Sequence, residues 1–168
     1  MPQQFRKGSF RSIKMNIQLK NIKHSEFASH ETECFQATIY IDGKKVGIVE
    51  NDGQGGCDSV HPHAVAERIN EWAKTLPPKI CNFIDPETNE ACVMPQDCEI
   101  IFNDLLNQYL TQRSLKRQCA KKVLFRKPSE TYGEGEYNTI ARPYNKEVKE
   151  YLVQKYGSAV EILNEQIA

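Results

Sequence analysis

Residues Asn51-Asp52-Gly53-Gln54-Gly55-Gly56 follow a short apolar segment, Val46 to Val49, and precede an amphipathic stretch that opens at Pro62. Glycine has no Cβ, so its amide can approach an anion closely, and a helix N-terminus just beyond would add partial positive charge. Gly53, Gly55 and Gly56 are therefore candidate donors to a phosphate, with Asn51, Gln54, Ser59 and His61 as polar groups around it. The spacing matches neither G-x-x-x-x-G-K-[ST] nor G-x-G-x-x-G, because the lysine and the third spaced glycine are missing. A tight connection that needs positive φ is the alternative. On the ligand reading, a Cβ at Gly55 or Gly56 obstructs the anion.

Cys57-x-x-x-His61-x-His63 is a second candidate. Thiolate and imidazole are good zinc ligands, and Cys81, Cys92 or Cys98 would have to supply a fourth. The standard zinc spacings are absent, so no stoichiometric metal and no cofactor are expected. The same residues pair a thiol with a possible base, the minimum for a thiol nucleophile. Glu130-Thr131-Tyr132-Gly133-Glu134-Gly135-Glu136 offers three carboxylates for acid/base work or a hard cation, without an EF-hand pattern, and a solvated turn is its plainer reading. The basic run from Arg113 to Lys127, including Arg117, Lys121 and Lys122, has Phe125, Tyr132 and Tyr137 close in sequence. It could neutralise phosphates and stack bases, or simply be a solvated helix end.

These groups need elements to hold them. From Cys34 to Ile41 the alternation is clean, with Phe35, Ala37, Ile39 and Ile41 on one face, and Asp42-Gly43 is a two-residue hairpin signal leading back through Val46 and Ile48. Ile17 and Leu19 suggest an earlier strand. Val65, Ile69, Trp72 and Leu76 fall at helical spacing between Pro62 and Pro77-Pro78, so this helix is expected to cover Ile39 and Ile41 through Trp72 and Ile69. Residues 79–97 read as a turn-rich connection, with a small hairpin holding Cys81 and Cys92. A long core helix carries Ile101/Phe102, Leu105/Leu106 and Tyr109/Leu110, and its end is basic. Val123 to Phe125 suggests a strand, Pro143 to Gly157 a helix, and Val160 to Leu163 an edge strand. The expected class is α+β, a mostly antiparallel small sheet with three helices packed on it. Residues 1–14 read as a basic flexible leader, with Met1 and Met15 as alternative starts, and 15–168 as a single domain with a possible subdivision near 78–97.

At 168 residues and 39% hydrophobic, the chain can bury one real core. No apolar run approaches the roughly 18 residues of a membrane span, and the start lacks an export signal, so a cytoplasmic location with no membrane partner is expected. The six cysteines form no Cys-x-x-Cys pair and read as reduced thiols. Zero net charge conceals segregation: residues 1–25 carry six basic and no acidic side chains, and 26–104 carry five against fifteen. Residues 105–128 carry seven basic and none acidic, and 129–168 four against seven. Opposed blocks of this kind favour a polyanion ligand or a self-complementary surface, so a homo-oligomer is expected.

The run Phe27-Ala28-Ser29, Glu31-Thr32, Cys34-Phe35, Tyr40-Ile41-Asp42-Gly43-Lys44, Gly47, Asn51, Gly53, Gly55-Gly56, His61-Pro62 resembles a group of small uncharacterised proteins of bacteria, phages and mobile elements. Tyr132, Gly135-Glu136-Tyr137, Pro143-Tyr144, Glu147-Val148 and Val160-Glu161-Ile162-Leu163-Asn164-Glu165 extend the similarity to the tail. The resemblance implies a mobile-element or prophage accessory protein, a setting rich in nonenzymatic binders and antagonists of host defence. The combined reading is a nonenzymatic binder of a phosphate-bearing ligand, a nucleotide signal or a nucleic acid. A small thiol/His or metal-dependent enzyme using Cys57, His61 and His63, and a protein-interaction module, are the alternatives.

Overall fold

The alternation from Phe35 to Ile41 forms a strand, β2 (Phe35–Ile41), and turns through Asp42 and Gly43, at φ of 50° and 77°, into β3 (Lys44–Asn51). Two successive positive φ values are what a tight hairpin with right-handed twist needs, and Asp-Gly supplies them. In the computed structural model, which describes residues 14–133 and 135–167 apart from the side chain of Asn82, β1 (Ile17–His24) lies antiparallel beside β2. A short β4 (Ser59–His61) flanks β3, giving the order β1-β2-β3-β4. One face of this sheet buries Ile17, Phe35, Ala37, Ile39, Ile41, Val49 and Val60. Of the expected leader, residues 1–13 lie outside the described part.

α1 (His63–Ala73) begins directly after Pro62 and contacts β4. Its buried stripe is Val65, Ala66, Ile69 and Ala73, while Trp72 is half-buried and Leu76 lies past the helix end. The expected Val65/Ile69/Trp72/Leu76 stripe is thus rotated by one residue. Two alanines take the core-facing positions, which side-chain size alone had assigned to Trp72. β5 (Lys79–Ile84) and β6 (Ala91–Met94) form the anticipated small hairpin as a separate two-stranded sheet. α2 (Cys98–Cys119) then starts with the Ile100 amide on Asp97 Oδ1 at 2.9 Å and buries Cys98, Phe102 and Leu106. The Cys98 amide also reaches Asn70 Oδ1 at 2.8 Å, tying α2 to α1.

The chain divides into two compact units, one ending at Leu106 and one beginning at Asn107, so the break falls inside α2 and not in 78–97. In the C-terminal unit, β7 (Val123–Arg126) is the middle strand between β8 (Asn138–Ile140) and β9 (Glu161–Ile162). α3 (Lys146–Tyr156) is capped by Asn145, whose side chain accepts from the Val148 amide, and stops at Gly157 with φ 85°. Pro143 stands two residues before that cap instead of in the first turn. The expected final edge strand shortens to Glu161–Ile162, and α4 (Leu163–Ile167) follows at once. Val123, Phe125, Leu152 and Ile162 form the core, with Phe125 stacked on Tyr156 at 5.6 Å between centroids. The class is α+β, with antiparallel sheets and three helices longer than two turns among the described residues.

Ile69 is fully buried, so it replaces Trp72 as the probe of the first core. Ile69→Ala should cost about 2–5 kcal/mol in denaturant melts, the usual range for emptying such a site. A loss under about 1 kcal/mol would show that the helix does not cover the sheet there.

Candidate functional site

The Gly-rich loop joins two strands, β3 and β4, and does not lead into a helix. β4 and Pro62 intervene before α1. Asn51 organises the loop: its Oδ1 accepts from the Gly53 amide at 2.9 Å and the Thr32 hydroxyl at 2.7 Å. Its Nδ2 donates to Gly56 O at 2.9 Å and Asp58 Oδ1 at 3.0 Å. The Gln54 amide is held by Asp52 Oδ1 at 3.0 Å, and the Gly55 amide points at Thr32 Oγ1 at 3.3 Å. Two of the amides assigned to a phosphate, those of Gly53 and Gly55, are therefore spent inside the fold.

The glycines have steric reasons of their own. Gly53 has φ 82°, and a Cβ there would lie 2.2 Å from Ala28 O, while its own carbonyl accepts from the His30 and Glu31 amides at 3.0 and 3.1 Å. Gly55 has φ 90°, and its Cβ would meet Glu31 Oε2 at 2.2 Å. A Cβ on Gly56 meets nothing within 4 Å. Substituting Gly55 thus strains the loop whether or not a ligand exists, and Gly56 is the more informative of the two positions.

Beside the loop lies an open cleft of about 560 Å³, with Lys23, His24, Cys34, Glu50, Asn51 and Ser59 in its wall. His24 bonds Glu33 across 2.6 Å, Gln36 donates to Glu50 at 3.1 Å, and Ser59 pairs with His61 at 2.9 Å. Charges of both signs line it, which does not favour an anion over a neutral ligand.

Cys57 is exposed, and its neighbour is Glu99 instead of an imidazole. Hydrogen bonding to Glu99, then the charge of that carboxylate, holds the thiol's pKa above its ordinary value. A nucleophilic cysteine needs the opposite shift. His61 is engaged by Ser59, and His63 lies 3.7 Å from Glu67 on its own helix. Among the described residues no group of three or more His, Cys, Asp and Glu side chains is placed to hold a metal ion, so Cys57, His61 and His63 do not converge. Asp58 is pushed up first by burial and next by Glu99 and Asp97, against the hydrogen bond from Asn51.

In the C-terminal unit the basic run separates into two parts. Arg126 faces Glu161 at 3.8 Å, and Lys127 faces Glu130 at 2.6 Å. Tyr132 donates to Glu130 at 2.6 Å and accepts from the Lys127 amide at 3.1 Å, and Lys127 first, then Tyr132, holds the Glu130 carboxyl below its usual range. Glu136 accepts from the Gly133 amide at 2.8 Å. The described carboxylates of the acidic loop are thus occupied internally, and Glu134 lies outside the described residues. By contrast Arg113, Lys116 and Arg117 on α2, and Lys121 and Lys122 in the turn after it, have no ion-pair partner among the described residues.

That turn is held by a residue sequence reasoning did not select. Asn164, 6% exposed, donates through Nδ2 to Cys119 O at 3.0 Å and Lys122 O at 2.9 Å, and accepts from the Leu124 amide through Oδ1 at 2.9 Å. A single asparagine in a polar-apolar tail gives no local signal of such a role. Asn51, Gly53, Gln54, Gly55, Gly56, Ser59 and His61 belong to the first unit; Arg117, Lys121 and Lys122 belong to the second.

No protein-family model, curated protein or solved structure matches the chain. Among the described residues no helix is long and apolar enough to cross a membrane.

Two outcomes follow from this geometry. Because the Cys57 thiol is held up by Glu99, its thiolate fraction at mildly alkaline pH is small and grows as pH rises, and Glu99→Gln should lower the pKa and speed iodoacetamide labelling of the Cys57 peptide. Equal labelling rates in both proteins, read by mass spectrometry, would remove Glu99 as the cause. Asn164→Ala leaves buried backbone groups without partners and should cost about 3 kcal/mol. A thermal melt unchanged from the parent would show that water replaces the amide.

Proposed function

We propose that this protein is a nonenzymatic binder of phosphate-bearing polymers, single-stranded nucleic acid first among them, and that its contact surface is the basic end of α2 with the turn that follows. What carries the reading is the contrast within one unit. Arg126, Lys127, Lys146 and Lys149 are each matched to a carboxylate and Arg142 and Lys155 stand singly without one, while five cations clustered between Arg113 and Lys122 are left unmatched among the described residues. Unneutralised charge of one sign on a folded surface raises the free energy of the compact state, and phosphates relieve it by releasing counterions.

The placement suits a chain of phosphates better than one. Arg113, Lys116 and Arg117 stand at three- and four-residue spacing, so they share a side of the helix, and Lys121 and Lys122 continue past its end. The negative end of the helix dipole softens the repulsion between them without neutralising any. Neither the Gly-rich loop nor its neighbouring cleft supports this reading, so the phosphate site shifts from Gly53–Gly56 to the second unit. The resemblance to proteins of phages and mobile elements fits a cytoplasmic role against a host process, with the bound polymer as the object of interference.

Fluorescence anisotropy with a labelled single-stranded oligonucleotide tests it. Lys121→Gln with Lys122→Gln should weaken binding and flatten the slope of log K against log salt by about 0.7 for each cation removed. Lys146→Gln with Lys149→Gln, which breaks matched pairs, should leave the slope alone. Thermal shifts with mononucleotides and cyclic dinucleotides but no oligonucleotide binding would move the reading to a small nucleotide signal. Binding of neither class would end it.

A further inference from the structure

Exposed apolar side chains are concentrated in one place. Of the seven large hydrophobic residues most exposed among the described ones, five sit on the β5–β6 hairpin: Ile80 at 70%, Phe83 at 62%, Ile84 at 58%, Val93 at 55% and Met94 at 41%. The hairpin is a two-stranded sheet on its own, and neither outer edge pairs with another described strand. A lone hairpin is marginal in water, and an open apolar edge is a template for another strand. Ile80 lies opposite Val93 and Ile84 opposite Ala91, with a register shift between the two pairs that puts two extra residues into β5.

The order of residues along β5 says which strand would fit. Read antiparallel against itself about position 82, Lys79-Ile80-Cys81-Asn82-Phe83-Ile84-Asp85 places Ile80 against Ile84 of the other copy and Cys81 against Phe83. The same register sets Lys79, the first residue of β5, against Asp85, the residue just past its last, so opposite charges meet at both extremities. Asp85 has no ion-pair partner among the described residues, though its Oδ1 accepts from the Glu87 amide at 2.8 Å. Lys79 pairs with Asp104 but keeps a side chain 41% exposed, within reach of a second carboxylate. β6 offers no such match: it is shorter, carries no charge of its own and runs into Pro95, which has no N–H to give.

We propose that β5 pairs with β5 of a second copy of this chain across a two-fold axis at residue 82, forming a continuous four-stranded sheet β6-β5-β5-β6. An isologous antiparallel contact satisfies the free backbone groups of both edges at once and sets Ile80 and Ile84 of each copy beside those of the other on one face, with Phe83 on the opposite face. The proposal does not use the basic run, so it stands or falls apart from nucleic-acid binding.

Sedimentation of the full chain at micromolar concentration should show a dimer. Ile84→Glu should raise its dissociation constant about a hundredfold, because each contact would then bring a carboxylate onto an apolar neighbour. Phe27→Glu, at a 94% exposed position outside the hairpin, should leave the dimer intact. The register is read separately: in a background of Cys57→Ser and Cys92→Ser, the second because Cys92 lies across the hairpin from this part of β5, Phe83→Cys should exchange with oxidised glutathione to form a disulfide between Cys81 of one copy and position 83 of the other. Each such bond consumes one glutathione disulfide and releases two glutathione thiols. Ile84→Cys should not link to Cys81. A monomer throughout the micromolar range overturns the proposal, as does a dimer indifferent to Ile84→Glu. Where the Glu variant fails to fold, the Phe83→Cys protein decides alone, and linkage at any position other than Cys81 counts against the register.

Discussion

The backbone carbonyls of Cys119, at the end of α2, and of Lys122, in the turn after it, and the Leu124 amide of β7 all converge on the side chain of Asn164. In water such groups would be indifferent to one another, but here the amide is buried, and leaving any of the three unmatched costs a full desolvation penalty. The geometry of an asparagine is well suited to the task, since one planar group both donates twice and accepts. The result fixes the turn from α2 into β7, and with it the positions from which Lys121 and Lys122 project. Charge repulsion among the five cations works against any compact arrangement of this segment. The amide supplies a short-range, directional restraint that salt does not screen, so the charged surface can be held without neutralising it.

Asn51 plays the corresponding part in the first unit, with both amide atoms engaged between the Gly-rich loop and Thr32. Here the glycines are consequences of the packing. Gly53 must bring its backbone against Ala28, and no side chain fits between. Close approach of backbone to backbone and close approach of backbone to a phosphate impose the same demand on a residue, the absence of a Cβ, and this is why the loop invites both readings.

The two loops also show where a sequence speaks and where it falls silent. The β2–β3 hairpin was legible because its period and its turn are both local, and Asp42 and Gly43 leave few other conformations open. The small hairpin holding Cys81 and Cys92, and the core positions Phe102 and Leu106 of α2, were legible for the same reason. β4 was not, because three residues carry no period. Trp72 was misplaced by one helical position, since the heavier apolar residue outweighs an alanine in any pattern while close packing of helix on sheet can prefer the alanine. The Gly55 amide could not be assigned, because its acceptor, Thr32, lies 23 residues upstream. Asn164 was the least visible of all, with partners 40 to 45 residues away. Polar networks that organise a fold are long-range by construction, and a pattern of types and spacings does not contain them.

The two proposed contacts would differ in their response to salt, which gives their coexistence a physical logic. Phosphate contacts along α2 would weaken as salt rises, because the counterions they release become less dilute. An apolar strand contact at β5 is indifferent to screening, and its two terminal charge pairs are minor contributors at a solvated rim. A dimer held through β5 would therefore persist where each single basic run is losing its hold. Two runs on one particle meet a polymer at an effective concentration set by the chain between them, so the second contact needs no further gain in affinity per cation. Binding to a long phosphate polymer would then be steep in polymer length, while binding to a mononucleotide, which can engage one run only, would gain nothing from the pairing. Taken together, the two proposed contacts would give selectivity for extended polyanions through copy number and charge, with no need of an enclosed site.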